Sequence, residues 1–229
     1  MQQTLPENTS VGFGSKAVRF LSDYRAFITI WIALFIAIIG IAMVSPLLPV
    51  FAREMGASGI WLGLAFSGFT LSQIPVMPLI GKLSDRFNKK VFLWTGLLIY
   101  SLAAVGYYWS PGYQELVFFR IISGVGSAMV IPVAFSYIGE MAPHDYEGRY
   151  MGLFSIALIS GFGVGPVLGG VIHDVFSTDA VFVSMSALAL LGFIIILLLL
   201  PTKVSPPVSV TSSEEPEPEE PSTSFVAML

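Results

Sequence analysis

Six apolar runs dominate this chain, each close to the ~20 residues that an α-helix needs to cross a bilayer. They cover roughly 26–50, 59–80, 91–109, 116–139, 150–172 and 180–200. None holds Asp, Glu or Lys, and only 116–139 holds an Arg. A water-soluble helical core would carry polar residues at helical period on every segment, and these segments do not. Charged residues are 11% of the 229, against about 25% in soluble domains. The pattern predicts an all-α membrane protein with six transmembrane helices over residues 26–200, after a polar N-terminal segment 1–25. The first run is too long for a signal-peptide core, so it is expected to remain in the mature protein.

The cations fix an expected orientation. Lys16, Arg19, Arg25, Lys82, Arg86, Lys89, Lys90, Arg149 and Lys203 fall on one side of six alternating spans, Arg53 falls on the other, and Arg120 lies within a span. Short loops rich in Lys and Arg stay in the cytoplasm. Both termini are therefore expected inside, in a multi-pass protein of the plasma (cell inner) membrane. Residues 201–229 change character. Glu214, Glu215, Glu217, Glu219 and Glu220 sit among prolines and serines, which predicts a disordered acidic linker or tail. The chain turns apolar again at Phe225–Leu229 and reads as cut short. With the tail's charges set aside, the net charge of −4 leaves a near-neutral membrane part, and no nucleic-acid partner is expected. There is no cysteine. No acid–base pair, metal cluster or activated nucleophile lies in the spans, so neither catalysis nor a metal or cofactor is expected.

The first three spans look like a copy of the next three. Gly40-x5-Pro46 is matched by Gly126-x5-Pro132, Gly63-Leu64 by Gly152-Leu153, and Pro78-x-x-Gly81 by Pro166-x-x-Gly169, at offsets of 86 to 89 residues. A repeat with an odd number of spans must be inverted in the membrane, as secondary transporters often are. Gly and Pro are common in membrane helices, so chance matches remain the competing explanation.

The turn Gly81-Lys82-Leu83-Ser84-Asp85-Arg86-Phe87-Asn88-Lys89-Lys90 resembles the G-x-L-x-D-R-x-G-R/K-R/K signature of the major facilitator superfamily. It departs from the signature at Asn88, where the family has Gly; Asn is expected to tolerate the same positive φ. Gly161, Gly165, Pro166, Gly169 and Gly170 resemble the family's antiporter signature G-x-x-x-G-P-x-x-G-G, a bare ridge for close helix packing. Gly40, Pro46 and Pro49 resemble the helix-break element of twelve-helix drug:proton antiporters. Arg120 and Gly124, with Ser123 in place of Gln, resemble the R-x-x-Q-G-x-G pattern of the fourth span.

The resemblance implies the N-terminal six-helix half of a major facilitator fold, built as two inverted three-helix repeats. It implies a small-molecule substrate, membrane lipid as surroundings, the proton as coupling ion, and a second six-helix half on the same or a separate chain. A half-size transporter working as a dimer and a non-transporting remnant are the alternatives. In the family, Gly81, Leu83, Asp85, Arg86, Lys89 and Lys90 form a gating motif, with Gly81 and Asp85 engaging a helix of the second half. Asp85 is also expected to cap the following helix, while Arg86, Lys89 and Lys90 meet anionic headgroups. Arg120 either lines the pathway or snorkels to the outer headgroups. Gln73 either faces the pathway or bonds a neighbouring helix. Trp31, Phe35, Phe66, Phe69, Phe135 and Phe162 either stack on substrate or face lipid and other helices. His173 is expected at the outer interface, and salt bridges are expected around Glu140, Glu147 and Arg149.

Overall fold

The computed structural model describes residues 11–201, with side chains from Tyr24 onward except His144. The expected disordered tail, with Lys203, lies outside these residues, as do the side chains of Lys16 and Arg19. The described residues form seven helices: α1 (Val11–Val44), α2 (Leu48–Glu54), α3 (Ile60–Arg86), α4 (Lys89–Tyr108), α5 (Tyr113–Met141), α6 (Glu147–Val175) and α7 (Thr178–Leu199). A single 3-10 turn, His144–Tyr146, joins α5 to α6. Six stretches are long and apolar enough to span a membrane, the first comprising the end of α1 together with α2. Continuous helix satisfies every backbone group without water, which a bilayer demands.

Local chemistry sets the helix ends. The chain leaves α1 at Val44, turns through Pro46, and restarts as α2 with Pro49 in its first turn, where a missing N–H is harmless. Gly56 and Gly59 take φ of 90° and 54° between α2 and α3, a region that Cβ-bearing residues avoid. Ser177 caps α7 by accepting from the Ala180 N–H at 3.1 Å. Pro75, Pro78, Pro132 and Pro166 all stay inside continuous helices. Among the helix-break residues, Pro46 and Pro49 sit at the break, but Gly40 does not. It lies inside α1, where a Cβ would stand 3.3 Å from the Met185 carbonyl oxygen of α7, so its bareness serves packing.

The principal helix pairs are α1 with α6 and α7, α5 with α3 and α4, and α4 with α7, while the sequential neighbours α3 and α4 barely touch. Exchanging the first three spans with the last three maps this set onto itself. Particular residues follow the same exchange. Trp61 of α3 meets Tyr113 of α5 edge-on at 5.4 Å, and Tyr150 of α6 meets Phe27 of α1 edge-on at 4.9 Å. Gly40 faces Met185, and Gly126 faces Gly96 and Ile99. At α4·α7, which maps onto itself, Ser101 and Ser186 exchange hydroxyl-to-carbonyl bonds of 3.3 and 3.2 Å. The inverted repeat is thus built into the packing.

Small residues bring the backbones together where lipid gives no hydrophobic drive. A Cβ at Gly165 would lie 2.8 Å from the Ile39 carbonyl oxygen, and one at Gly169 2.5 Å from that of Met43. Gly161 likewise meets Ile38. Gly170 differs from expectation, since no atom lies within 4 Å of its Cβ position. It is the neighbour of the ridge, not part of it.

The cover is uneven. In its most apolar stretch α3 has 11% of residues buried and α6 22%, against 67% for the first span. These two helices, equivalent under the exchange, each present a free face.

Candidate functional site

The α3–α4 turn is built from two helix ends. Gly81, Leu83, Asp85 and Arg86 occupy the last turns of α3, and Lys89 opens α4. Asn88 has φ −63° and ψ 113°, and its side chain accepts from the Lys90 N–H at 3.0 Å. The departure from the family's Gly therefore involves no positive φ. Asn88, not Asp85, caps α4, because a residue inside α3 is three positions too early for that role.

The basic residues divide their work. Lys89 is buried and pairs with Glu140 at the end of α5. Lys90 donates to the Leu200 carbonyl at the end of α7 at 2.6 Å, a favourable place for a cation. Tyr137 donates to the Pro201 carbonyl at 3.0 Å. Lys89 and Lys90 thus turn inward and tie α4, α5 and α7 together, instead of meeting headgroups as expected. Lys82 and Arg86 stay exposed. The ion pair at Glu140 reaches across helices to Lys89, not along the loop to Arg149.

Asp85 and Gly81 are left open. No atom lies within 4 Å of the Gly81 Cβ position, whereas its counterpart Gly169 is pressed onto α1. Asp85 is exposed on the rim of an open cleft with Leu79, Lys82, Leu83 and Arg86. A carboxylate in a last helical turn faces the negative end of its own helix dipole, unfavourable by about 0.3–1 kcal/mol.

Inside the bundle, α5 carries the polar groups. Arg120 is only 2% exposed, so it does not snorkel. Its guanidinium donates to Ser45 Oγ at 2.8 Å, in the turn between α1 and α2, and lies 4.9 Å from the centre of the Phe69 ring of α3. Its Nε is buried without a hydrogen-bond partner. Ser123 donates to the Arg120 carbonyl at 2.8 Å and shares a hydrogen bond of 2.9 Å with the Tyr107 hydroxyl. Gln73 donates to Ser127 at 2.8 Å, tying α3 to α5. Gly124 lets Phe69 and Ser72 approach, a Cβ there falling 3.0 Å from the Phe69 carbonyl carbon. Arg120, Gln73 and Gly124 thus share the α3·α5 seam, with the hinge of the first span at its edge. A guanidinium cannot release its proton, and its insertion costs roughly 2.5–3.5 kcal/mol. It is a fixed charge that donates to the Ser45 hydroxyl, and among the described residues the carboxylates of α5, Glu115 and Glu140, stand at that helix's two ends.

Most of the aromatic candidates are engaged in packing. Trp31 stacks on Phe35 at 5.3 Å and donates to the Leu153 carbonyl at 2.9 Å; Phe135 meets Phe154 edge-on at 4.8 Å. Phe66 and Phe162 are exposed at 60% and 49%, on the two free helices. His173 touches Phe51 at 5.7 Å and lies 3.3 Å from the Thr178 hydroxyl. Ser45, Tyr107 and Ser127 escaped sequence reasoning, because lone hydroxyls in apolar runs carry no periodic signal.

Comparison with known proteins agrees with this architecture. The family model for the Major Facilitator Superfamily matches residues 30–228. A major-facilitator-type transporter of Methanocaldococcus jannaschii is 34% identical over 166 residues, 72% of this chain and 43% of the relative. The quinolone resistance protein NorA of Staphylococcus aureus is 32% identical over 167 residues, 73% of this chain and 43% of the relative. Among solved structures, a bacterial homologue of the human lysosomal transporter Spinster, inward-facing and unoccupied, superposes with a TM-score of 0.69 at 19% identity, over 85% of this chain and 47% of that one. A peptide transporter bound to sulfate gives 0.70 at 15% identity, over 80% and 41%. The chain spans less than half the length of the relatives it matches. It belongs to the major facilitator superfamily, a family of membrane transporters and not of enzymes.

Proposed function

We propose that this chain is the N-terminal half of a rocker-switch transporter of the plasma membrane, with both termini cytoplasmic, which exports a small solute in exchange for protons. The observation that carries the reading is the motif face of α3. Among the described residues nothing packs on Gly81, which has the bareness of a packing glycine, and Asp85 joins no ion pair at the wrong end of its own helix. Both features make sense once the N-terminus of a helix from a second half docks there and its positive end meets Asp85. A second half on the same chain, a separate chain or a second copy would supply this. Efflux by proton exchange is favoured by the antiporter ridge on α6 and by a relative named for quinolone resistance. In this reading Arg120 is a fixed charge beside the pathway, and the proton-carrying carboxylate belongs to the second half.

The test is photo-crosslinking in native membranes from a benzophenone amino acid at Phe87, an exposed aromatic position at the end of α3 that leaves Gly81 bare. Capture of a membrane helix from a second six-helix unit is expected. Capture of lipid alone would overturn the assignment.

A further inference from the structure

The seam between α4 and α7 holds a cavity that has no task in the transport reading. We propose that it retains one acyl chain of a phospholipid, drawn from the leaflet opposite the α3–α4 turn, the outer one in that reading.

The order of the helices decides what can reach the cavity. The principal contacts run α3–α5–α4–α7–α1–α6, and α1 also touches α5. The row therefore closes into a curve with α3 and α6 at its tips and the α4·α7 seam at its back. A second half docked across the free faces of the two tips leaves the back to the bilayer, and the inference rests on that placement. The surface around the cavity is of a kind that belongs in hydrocarbon. Val183, Ala187, Leu190 and Ile194 are all exposed, and their spacing puts them on one face of α7. Two of them, Val183 and Ala187, line the cavity, so its mouth is continuous with a lipid-facing stripe.

The cavity is preformed, apolar and small. It measures about 250 Å³ and lies between Ala104, Val105 and Tyr108 of α4 and Phe182, Val183 and Ala187 of α7. Ala104 and Phe182 are buried and form the floor, while Tyr108, Val183 and Ala187 are exposed at the mouth. The Phe182 ring is held edge-on by Phe51 at 5.4 Å and lies tilted against Tyr107 at 5.5 Å, which fixes the floor. Ser186 also lines the cavity, but its hydroxyl donates to the Ser101 carbonyl at 3.2 Å. Water finds few partners here; an apolar cavity of about 150 Å³ stays dry and accepts benzene. A drug-sized ligand takes roughly 300–1,000 Å³, so the volume is small for a transported drug. A flexible hydrocarbon segment fits, and in a bilayer that segment is an acyl chain. Moving a chain from lipid to an apolar cavity brings no hydrophobic gain. Retention comes from dispersion contacts with a rigid floor, which an empty void forfeits.

The height agrees with a chain entering from one leaflet. The lining residues belong to the last turns of α4 and the first turns of α7, so the cavity reaches about 14 Å below the start of α7. Trp109, 74% exposed just past α4, and Tyr108 beside it mark the headgroup level, where such rings collect.

The test is photolabelling of the full chain in nanodiscs containing phosphatidylcholine with a diazirine midway along one acyl chain, mapped by peptide mass spectrometry. Labelling of residues 104–108 and 182–187 should exceed that of 190–198 several-fold, since the latter continue the stripe without a cavity. Ala187→Phe, which fills the mouth, should abolish the excess, and the milder Ala187→Leu should reduce it. In native mass spectrometry the parent should keep one phospholipid under conditions that strip Ala187→Phe bare. Even labelling along α7 in the parent overturns the inference, as does an excess unchanged in both variants. An excess displaced by norfloxacin also overturns it and would assign the cavity to substrate. The labelling requires neither the second half nor flux, so its failure leaves the Phe87 crosslink to judge the docking of the second half.

Discussion

Two adjacent glycines on α6 allow packing to be separated from helix propensity. Alanine at Gly169 would set a methyl 2.5 Å from the Met43 carbonyl oxygen and 3.0 Å from Met43 Cα, both backbone atoms that no side-chain rotation can move. Alanine at Gly170 would meet nothing within 4 Å. Both changes gain the same helix propensity, about 0.8–1 kcal/mol, so that contribution cancels in the comparison. What remains is the cost of pushing α6 away from α1 by several tenths of an ångström, about 1–3 kcal/mol for overpacking. Gly169→Ala should therefore be less stable than Gly170→Ala by about that amount, with Gly170→Ala at or slightly above the parent. Unfolding in mixed detergent micelles, followed by tryptophan fluorescence, measures both. Trp31 is a local reporter, since it bonds the Leu153 carbonyl of α6. Equal stability of the two variants would refute the claim that the glycine ridge holds α6 on α1.

Other consequences are more direct. Glu140→Gln strands the buried Lys89 ammonium and should destabilise by about 1–3 kcal/mol; a charge swap of the pair, if the geometry is right, recovers part of the loss in the same unfolding assay. Asn88→Ala removes the α4 cap for about 1 kcal/mol, whereas Asn88→Gly should cost only a few tenths, an ordering that thermal unfolding resolves. Gly81→Leu should leave this chain as stable as the parent or slightly more so, because nothing packs there and Leu is the better helix former, yet abolish flux in the assembled transporter at normal abundance. Arg120→Gln should loosen the turn between α1 and α2, read as faster exchange of the Leu47 and Leu48 amides; unchanged exchange would sever the link between Arg120 and the hinge.

Much of the fold was legible because lipid imposes a simple rule: a span must be long, apolar and helical. The break at Pro46 and the packing of Gly161, Gly165 and Gly169 followed from residues with a single physical use. The inverted repeat was visible in Gly and Pro spacing, and the symmetric aromatic pairs Trp61–Tyr113 and Tyr150–Phe27 give it substance. Other details depended on three dimensions. Nothing in Lys89 and Lys90 says that they turn toward Glu140 and Leu200, since a loop cation reads alike whether it meets lipid or protein. Arg120 could have snorkelled by its depth alone; Ser45, 75 residues away, decides its direction. Gly40 and Gly170 show the limit of motif reading, because a glycine's role depends on what lies opposite.

The central claim is that this chain supplies one half of a proton-coupled exporter whose gate includes Asp85. The most direct measurement is uptake of a fluorescent quinolone into inverted membrane vesicles acidified inside, with the chain paired to its second six-helix half. Uptake should collapse with the proton gradient and be lost in Asp85→Asn at unchanged abundance. Gradient-independent uptake, or full uptake by Asp85→Asn, would contradict the claim.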